Sequence, residues 1–342
     1  MVDALEDAKK QEIACLFDLK VIPKTMTDGY ESWWDVGIAT TSEKESVRKA
    51  CEGVMKAVKR QDCTNLGGKK MSKVFGYPEY DEKGEKILTT YDNEYKAMMM
   101  DIRVYRMKAG ETRTFLREGE ETAVLLLSGN ITYKWNGNEA AATRKDVFTE
   151  GPWCVHGCTG TEIAVVANAE SQILVQCTKN EKDFGAKLYK PEDAPWGYSC
   201  VGKFGNVAKR RVNTIFDHDI SPESNMVLGE VLNDRGNWSG YLPHRHPQPE
   251  TYFFKFDHPE GFGASFVGDQ VFKSTDESFS AIPGGELHPQ AVAPGYQMYT
   301  CWMIRHIDGN PWLQTDRCED ERYTCFMTPS FKDSEILILD RK

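Results

Sequence analysis

The sequence predicts a mainly β fold: two successive jelly-roll barrels behind an N-terminal extension that is helical and irregular. Two observations carry this. Beyond about residue 98 the 342-residue chain breaks into short runs of β-branched and aromatic residues, punctuated by Gly, Asn, Asp and Pro roughly every ten residues, which is the rhythm of antiparallel sheets. These runs form two blocks of about 80–100 residues each, the size of a small β-barrel or jelly roll.

Residues 1–97 are read as the extension. Within it Val47, Cys51, Val54 and Val58 recur at three- and four-residue steps, and Ser42 with Glu45 offers a capping box, so an amphipathic helix of about five turns is expected near 42–60. Its basic side chains, Arg48, Lys49, Lys56, Lys59 and Arg60, read as a solvated face or subunit contact. The first barrel, residues 98–182, should contain strands Ile102–Met107, Ala123–Leu127, Ile131–Trp135, Glu162–Ala167 and Gln172–Cys177, with Ser128-Gly129-Asn130 as a hairpin turn. Residues 183–209, with Pro191, Pro195 and four glycines, read as a connector. The second barrel and tail, residues 210–342, should contain strands Met226–Leu232, Thr251–Phe256, Gly263–Val267, Phe279–Ile282 and Gln297–Ile304.

Composition narrows the function. The chain carries 52 acidic and 42 basic side chains, a formal charge of −10, so it would repel a phosphate backbone and no nucleic-acid partner is expected. It has no run near the ~20 apolar residues of a membrane helix, and its charged N-terminus is unlike a signal peptide. A cytoplasmic protein without a membrane partner is therefore expected. Ten cysteines without a CxxC pair read as reduced thiols. Cys154, His156 and Cys158 lack a second ligand pair and read as structural.

The informative stretch is Pro243-His244-Arg245-His246-Pro247-Gln248-Pro249-Glu250, followed by the strand TYFFKF and then by Pro283-Gly284-Gly285-Glu286-Leu287-His288. On an extended chain His-x-His puts both imidazoles on one face and turns Arg245 the other way. The Pro-Gly-Gly turn can carry His288 against them. Three imidazoles and one carboxylate (His244, His246, Glu250 and His288) are a ligand set for one divalent first-row metal; Zn2+ is the first expectation, with Mn2+ or Fe2+ as alternatives. The first block has no counterpart: Phe115 to Thr122 holds no histidine and only His156 remains, so a metal-free partner barrel is expected.

His244-x-His246-x3-Glu250 and Pro283-x-Gly285-x-x-His288 resemble the two cupin motifs, which implies a double-stranded β-helix (jelly-roll) bicupin. The flanking residues are more specific. Gly229-Glu230-Val231, Gly236-Asn237-Trp238-Ser239, Gly261-Phe262-Gly263, His288-Pro289 and Ala293-Pro294-Gly295-Tyr296 resemble the IolB family of 5-deoxy-glucuronate isomerases, relatives of the KduI-type uronate isomerases. In the first half, Glu121 to Gly129 and Arg144 to Phe148 fit as well, so the resemblance spans about residues 98–315.

The resemblance implies an aldose–ketose isomerase converting 5-deoxy-D-glucuronate to 5-dehydro-2-deoxy-D-gluconate in myo-inositol breakdown. Another cupin uronate isomerase, a cupin oxygenase and a non-catalytic sugar-acid-binding cupin are the alternatives. Proton transfer falls to Glu250, Tyr252 or Glu230, with Gln290 also in reach of the barrel. The substrate, a sugar acid, calls for a guanidinium at its carboxylate: Arg245 from the motif, or Arg210 or Arg211 at the entry to the second barrel, with Gln290 as a further contact. A homo-oligomer is expected from exposed strand edges.

Overall fold

The structure, a computed structural model, describes residues 73–315 and 317–327 together with Glu45. Apart from Glu45, which is helical, the helix expected at 42–60 lies outside the described residues. By its contacts the chain divides into Met1–Met71 and Ser72–Lys342.

The second of these units is two β-barrels built from antiparallel pairs. In the first barrel, a sheet ordered Ala186–Tyr189, Trp153–Gly157, Glu120–Trp135, Ser171–Lys179, Asp101–Met107 and Glu85–Thr89 faces strands Asn138–Arg144, Ile163–Ala167 and Thr112–Phe115. In the second barrel, a seven-stranded sheet has Glu250–Phe256, Met298–Arg305 and Met226–Asn233 at its centre. It faces four strands ordered Trp238–Ser239, Gln290–Val292, Phe262–Val267 and Gln270–Thr275. No helix among the described residues is long and apolar enough to cross a membrane.

Period-two alternation explains the packing. Val124, Leu126, Ile131 and Tyr133 fill the interior of the first barrel, while Tyr252, Phe254, Val227 and Ile304 line that of the second. The intervening residues Ala123, Leu125, Leu228, Phe253 and Cys301 join a third core, a seam where the large sheets of the two barrels pack together. Both faces of each large sheet are therefore buried. Each fully buried side chain of Leu or Phe size contributes about 1.5–3 kcal/mol, so the seam makes the two barrels one body. Polar ties cross it too: Glu277 of the second barrel accepts from Lys86 and Arg106 of the first, at 2.8 and 3.0 Å.

Three expectations need correction. Residues 128–130 form no hairpin: one strand runs unbroken from Glu120 to Trp135, and its first half pairs in the large sheet while its second half pairs in the opposing one. Gly129 has φ of 111°, and a Cβ there would stand 2.3 Å from Ser171 Oγ and 2.6 Å from the Glu170 carbonyl oxygen. The glycine permits a bend between sheets, not a reversal. The extension does not run to residue 97, because Phe75–Gly76 pairs with Phe279–Ile282 and Glu85–Thr89 pairs with Asp101–Met107. The connector is shorter than 183–209, because Ala186–Tyr189 joins the first barrel and Gly197–Ser199 the second.

The six cysteines whose side chains are described, Cys154, Cys158, Cys177, Cys200, Cys301 and Cys318, are all free. His156 lies in the seam, stacked on Phe216 at 4.1 Å, with Nε2 2.9 Å from a Glu121 carboxylate oxygen. That is a satisfied structural role.

Candidate metal centre

The second motif docks on the first through one close approach. Gly285 N–H donates to the His246 carbonyl at 2.8 Å, and a Cβ on Gly284 would stand 1.8 Å from the Pro247 carbonyl oxygen. Only glycine lets the turn come this near. The result sets the His288 ring 5.1 Å from that of His246 and 4.7 Å from that of His244, centroid to centroid.

Glu250 reaches the same point from the opposite side. It begins the strand Glu250–Phe256, held between Ile282 and Ile304 on its two neighbours. One Glu250 oxygen lies 3.2 Å from His246 Nε2 and 3.3 Å from His288 Nε2. Ligand atoms of His246, Glu250 and His288 all fall within 4.8 Å of one another, and the three residues are buried.

The far side of each ring is fixed by backbone. Nδ1 of His246 lies 3.0 Å from the Gln248 carbonyl and Nδ1 of His288 2.8 Å from that of Glu286. A carbonyl can only accept, so Nδ1 carries the proton and Nε2 presents its lone pair inward, the arrangement that orients metal-ligating histidines. His288 Nε2 is buried with no hydrogen-bond partner. Burial and then the neighbouring Glu250 act on His288 in opposite directions; burial prevails and holds its pKa below the usual histidine value, keeping the ring neutral as a ligand must be. These residues fit a divalent cation.

His244 flanks the trio. It is buried, and Arg245 beside it is exposed, as the alternation requires. Two groups approach its Nδ1: the Leu242 carbonyl at 3.0 Å and Arg317 Nη2 at 3.1 Å. The carbonyl favours a protonated Nδ1 and the guanidinium a bare one, so only the first tautomer frees Nε2 for a metal. Burial, followed by the charge of His288, pushes its pKa well below the usual value.

A cavity of about 170 Å3 opens beside these ligands, lined among others by Tyr252, Gln290, Trp302, Trp312, Arg210 and Arg317. Burial, then the charge of Glu250, raises the Tyr252 phenol well above its ordinary range, so it is a neutral proton donor. Gln290 Oε1 accepts from Thr300 Oγ1 at 3.1 Å, which leaves its amide N–H groups for a ligand.

Other predicted residues lie elsewhere. Glu230 shares its strand face with Leu228 and Leu232, the seam face. There it is fully buried, pairs with Arg144 at 2.8 Å, and accepts from Tyr299 and Asn213 at 2.7 and 2.9 Å; it is not a proton shuttle for this cavity. Arg245 faces solvent, and Arg211 lies against the Trp196 ring at 5.9 Å. Neither lines the cavity.

Sequence reasoning missed Arg317. It arrives through a two-residue ladder in which Cys318 and Glu319 pair with Arg245 and His244, a contact without a sequence signature. A larger open groove of about 1100 Å3 lies elsewhere and includes none of the predicted metal ligands; the donor chemistry, not the volume, marks the site.

Comparison with known proteins agrees with this architecture. A 5-deoxy-glucuronate isomerase of Bacillus subtilis (strain 168) is 29% identical over 219 residues, covering 58% of this chain and 79% of the relative. One from Bacillus velezensis is 28% identical over 253 residues, 67% of this chain and 90% of the relative. A 3D-(3,5/4)-trihydroxycyclohexane-1,2-dione hydrolase of Clostridium botulinum is 65% identical over 57 residues, 17% of this chain; the match spans only 9% of the hydrolase. Among solved structures, an IolB-like protein from Salmonella typhimurium LT2 superimposes with a TM-score of 0.66 at 18% identity, covering 75% of this chain and 100% of that one. An oxalate decarboxylase from Lactobacillus farciminis gives 0.55 at 11% identity, covering 79% and 95%. The fold is thus a cupin fold, with two barrels in one chain. The KduI/IolB family model matches residues 76–322, and the chain belongs to that family.

Proposed function

We propose that the protein is a metal-dependent aldose–ketose isomerase of a small uronate, with 5-deoxy-D-glucuronate as the substrate and 5-dehydro-2-deoxy-D-gluconate as the product. The observation that carries this reading is the convergence of His246 Nε2, His288 Nε2 and a Glu250 oxygen beside a cavity, in a chain whose relatives include proteins named 5-deoxy-glucuronate isomerase.

His246, Glu250 and His288 would hold the cation, with His244 next to them; Zn2+ suits the imidazole-rich set, and Mn2+ or Fe2+ also take it. A divalent cation there supplies Lewis acidity toward a carbonyl and an adjacent hydroxyl oxygen. With Glu250 engaged as a ligand, Tyr252, which lines the same cavity, is suited to protonate an oxygen as hydrogen moves between C1 and C2. Gln290 orients a hydroxyl through its free N–H groups, and Trp302 with Trp312 walls the cavity against water. The expected partners are a sugar acid and further copies of the chain in a homo-oligomer, which light scattering will count.

The test is purified protein loaded separately with Zn2+, Mn2+ and Fe2+, mixed with 5-deoxy-D-glucuronate and followed by NMR. Ketose is expected with at least one metal. Bound metal with no ketose from this or any other uronate, or oxygen consumed on substrate addition, overturns the reading.

A further inference from the structure

The cavity contains more unmet hydrogen-bonding capacity than the metal ligands account for. Arg317 Nε, Ser239 Oγ, Trp302 Nε1 and Trp312 Nε1 all belong to residues that line it, and all four atoms are buried without a partner. Three are obligate donors and the fourth is a hydroxyl, so together they ask for a ligand rich in oxygen.

The charges ask for an anion. Arg210 is 5% exposed and spends Nη1 on the Ala208 carbonyl at 3.0 Å and Cys200 Sγ at 3.4 Å. Arg317 offers only Nη2 toward His244. Among the described residues neither has a carboxylate at ion-pair distance, unlike Arg144, Arg235 and Arg305. The two line the same cavity, so their like charges oppose each other there. Two like charges on one cavity, one buried and one half-buried, with no carboxylate at ion-pair distance, are unfavourable until an anion enters.

We infer that Arg210 and Arg317 form a carboxylate clamp that takes the acid end of a sugar acid while its other end faces His246, Glu250 and His288. The inference rests on the reaction proposed above for the identity of the sugar, and supplies the specificity for an acid over a neutral sugar. Guanidinium forks match carboxylate geometry. The residues of the family-like motif itself do not serve, because Arg245 faces solvent. The clamp also assigns a role to the segment after the last barrel strand: it brings Trp312, Gln314 and Arg317 over the cavity.

Metal-loaded full-length protein is titrated calorimetrically with D-glucuronate and with D-glucose. Wild type is expected to bind the acid at least about ten-fold more tightly, the worth of one charge-assisted contact. Arg317→Gln and Arg210→Gln are expected to erase that preference at unchanged metal content, Arg317→Lys to keep part of it, and Arg211→Gln to keep all of it. Folded, metal-bound Gln variants that retain the preference overturn the clamp. The two readings fail separately: acid preference lost in the variants, with no isomerisation by wild type, removes the reaction and leaves the clamp. Isomerisation with unchanged KM in the variants removes the clamp and leaves the reaction.

Discussion

The two barrels share one architecture and differ in what their inward faces carry. In the first, Phe115, Ile131, Tyr133, Ile163, Val165 and Ile173 pack into an apolar interior. In the second, Phe254, Phe256, Met298 and Ile304 belong to the interior core, and beside it stand His246, Glu250, Gln290 and two arginines around a cavity. The same parity rule places both sets. The chemistry resides in a handful of inward positions grafted on a fold that is otherwise repeated, and the filled barrel braces the open one across the seam.

The largest expected effect separates the barrels by metal. His246→Ala, His288→Ala and Glu250→Gln should weaken metal binding by more than about 100-fold, since groups that only orient ligands already contribute 10–100-fold. His244→Ala should lose metal to a smaller degree. His156→Ala, in the seam, should retain both metal and activity. Equal metal content in all five proteins, read by elemental analysis, would erase the distinction between the barrels.

Next in size is the tie between them. Arg144 and Glu230 are both fully buried and paired, and removal of one partner strands a charge. Arg144→Met is expected to cost about 3–5 kcal/mol of unfolding free energy, and the double variant Arg144→Met with Glu230→Leu to recover most of it. Metal content should stay at the wild-type level. Chemical denaturation measures the first, and a double variant no more stable than the single would contradict a pairwise tie.

The different fates of Glu230 and Glu250 show what the sequence can express. Glu250 is legible because its spacing from His246 is local and the strand after it alternates. Glu230 is misread because Met226–Asn233 is buried on both faces, so polarity does not tell seam from interior. Gly129 gives a turn signal that the structure uses as a bend, since nothing local reports that the strand continues into the opposing sheet. Arg317 depends on a long-range ladder to His244 and Arg245. Motifs that act through neighbours in sequence are readable; those that act through neighbours in space are not.

Acid should weaken the second barrel through His306, just past its last long strand. Burial, then the charge of His218, lowers its pKa from 6.5 to about 4, and its bare Nδ1 accepts from the Trp312 N–H at 2.8 Å. Between pH 6.5 and 4 the unfolded chain binds a proton that the folded chain refuses. The contribution of His306 is therefore complete above pH 6.5 and declines as pH falls toward 4, by up to about 3 kcal/mol. His306→Asn keeps an acceptor and removes the titration, so its stability should depend less steeply on pH over that range. An unchanged slope would clear His306.

The smallest effect belongs to the filled interior. Tyr133 is fully buried, and its hydroxyl donates to the Val124 carbonyl at 3.0 Å with the Trp153 carbonyl at 3.1 Å. The two acceptors lie on neighbouring strands of the first barrel, so one phenol bridges them inside an apolar core. Tyr133→Phe preserves the ring and deletes the bridge, at an expected cost of about 1–2 kcal/mol. Neither metal affinity nor turnover should change, because Tyr133 faces into the first barrel, whereas the ligands face into the second. A loss of activity at full metal occupancy would mean that the first interior shapes the second, and that the filled barrel does more than brace its neighbour.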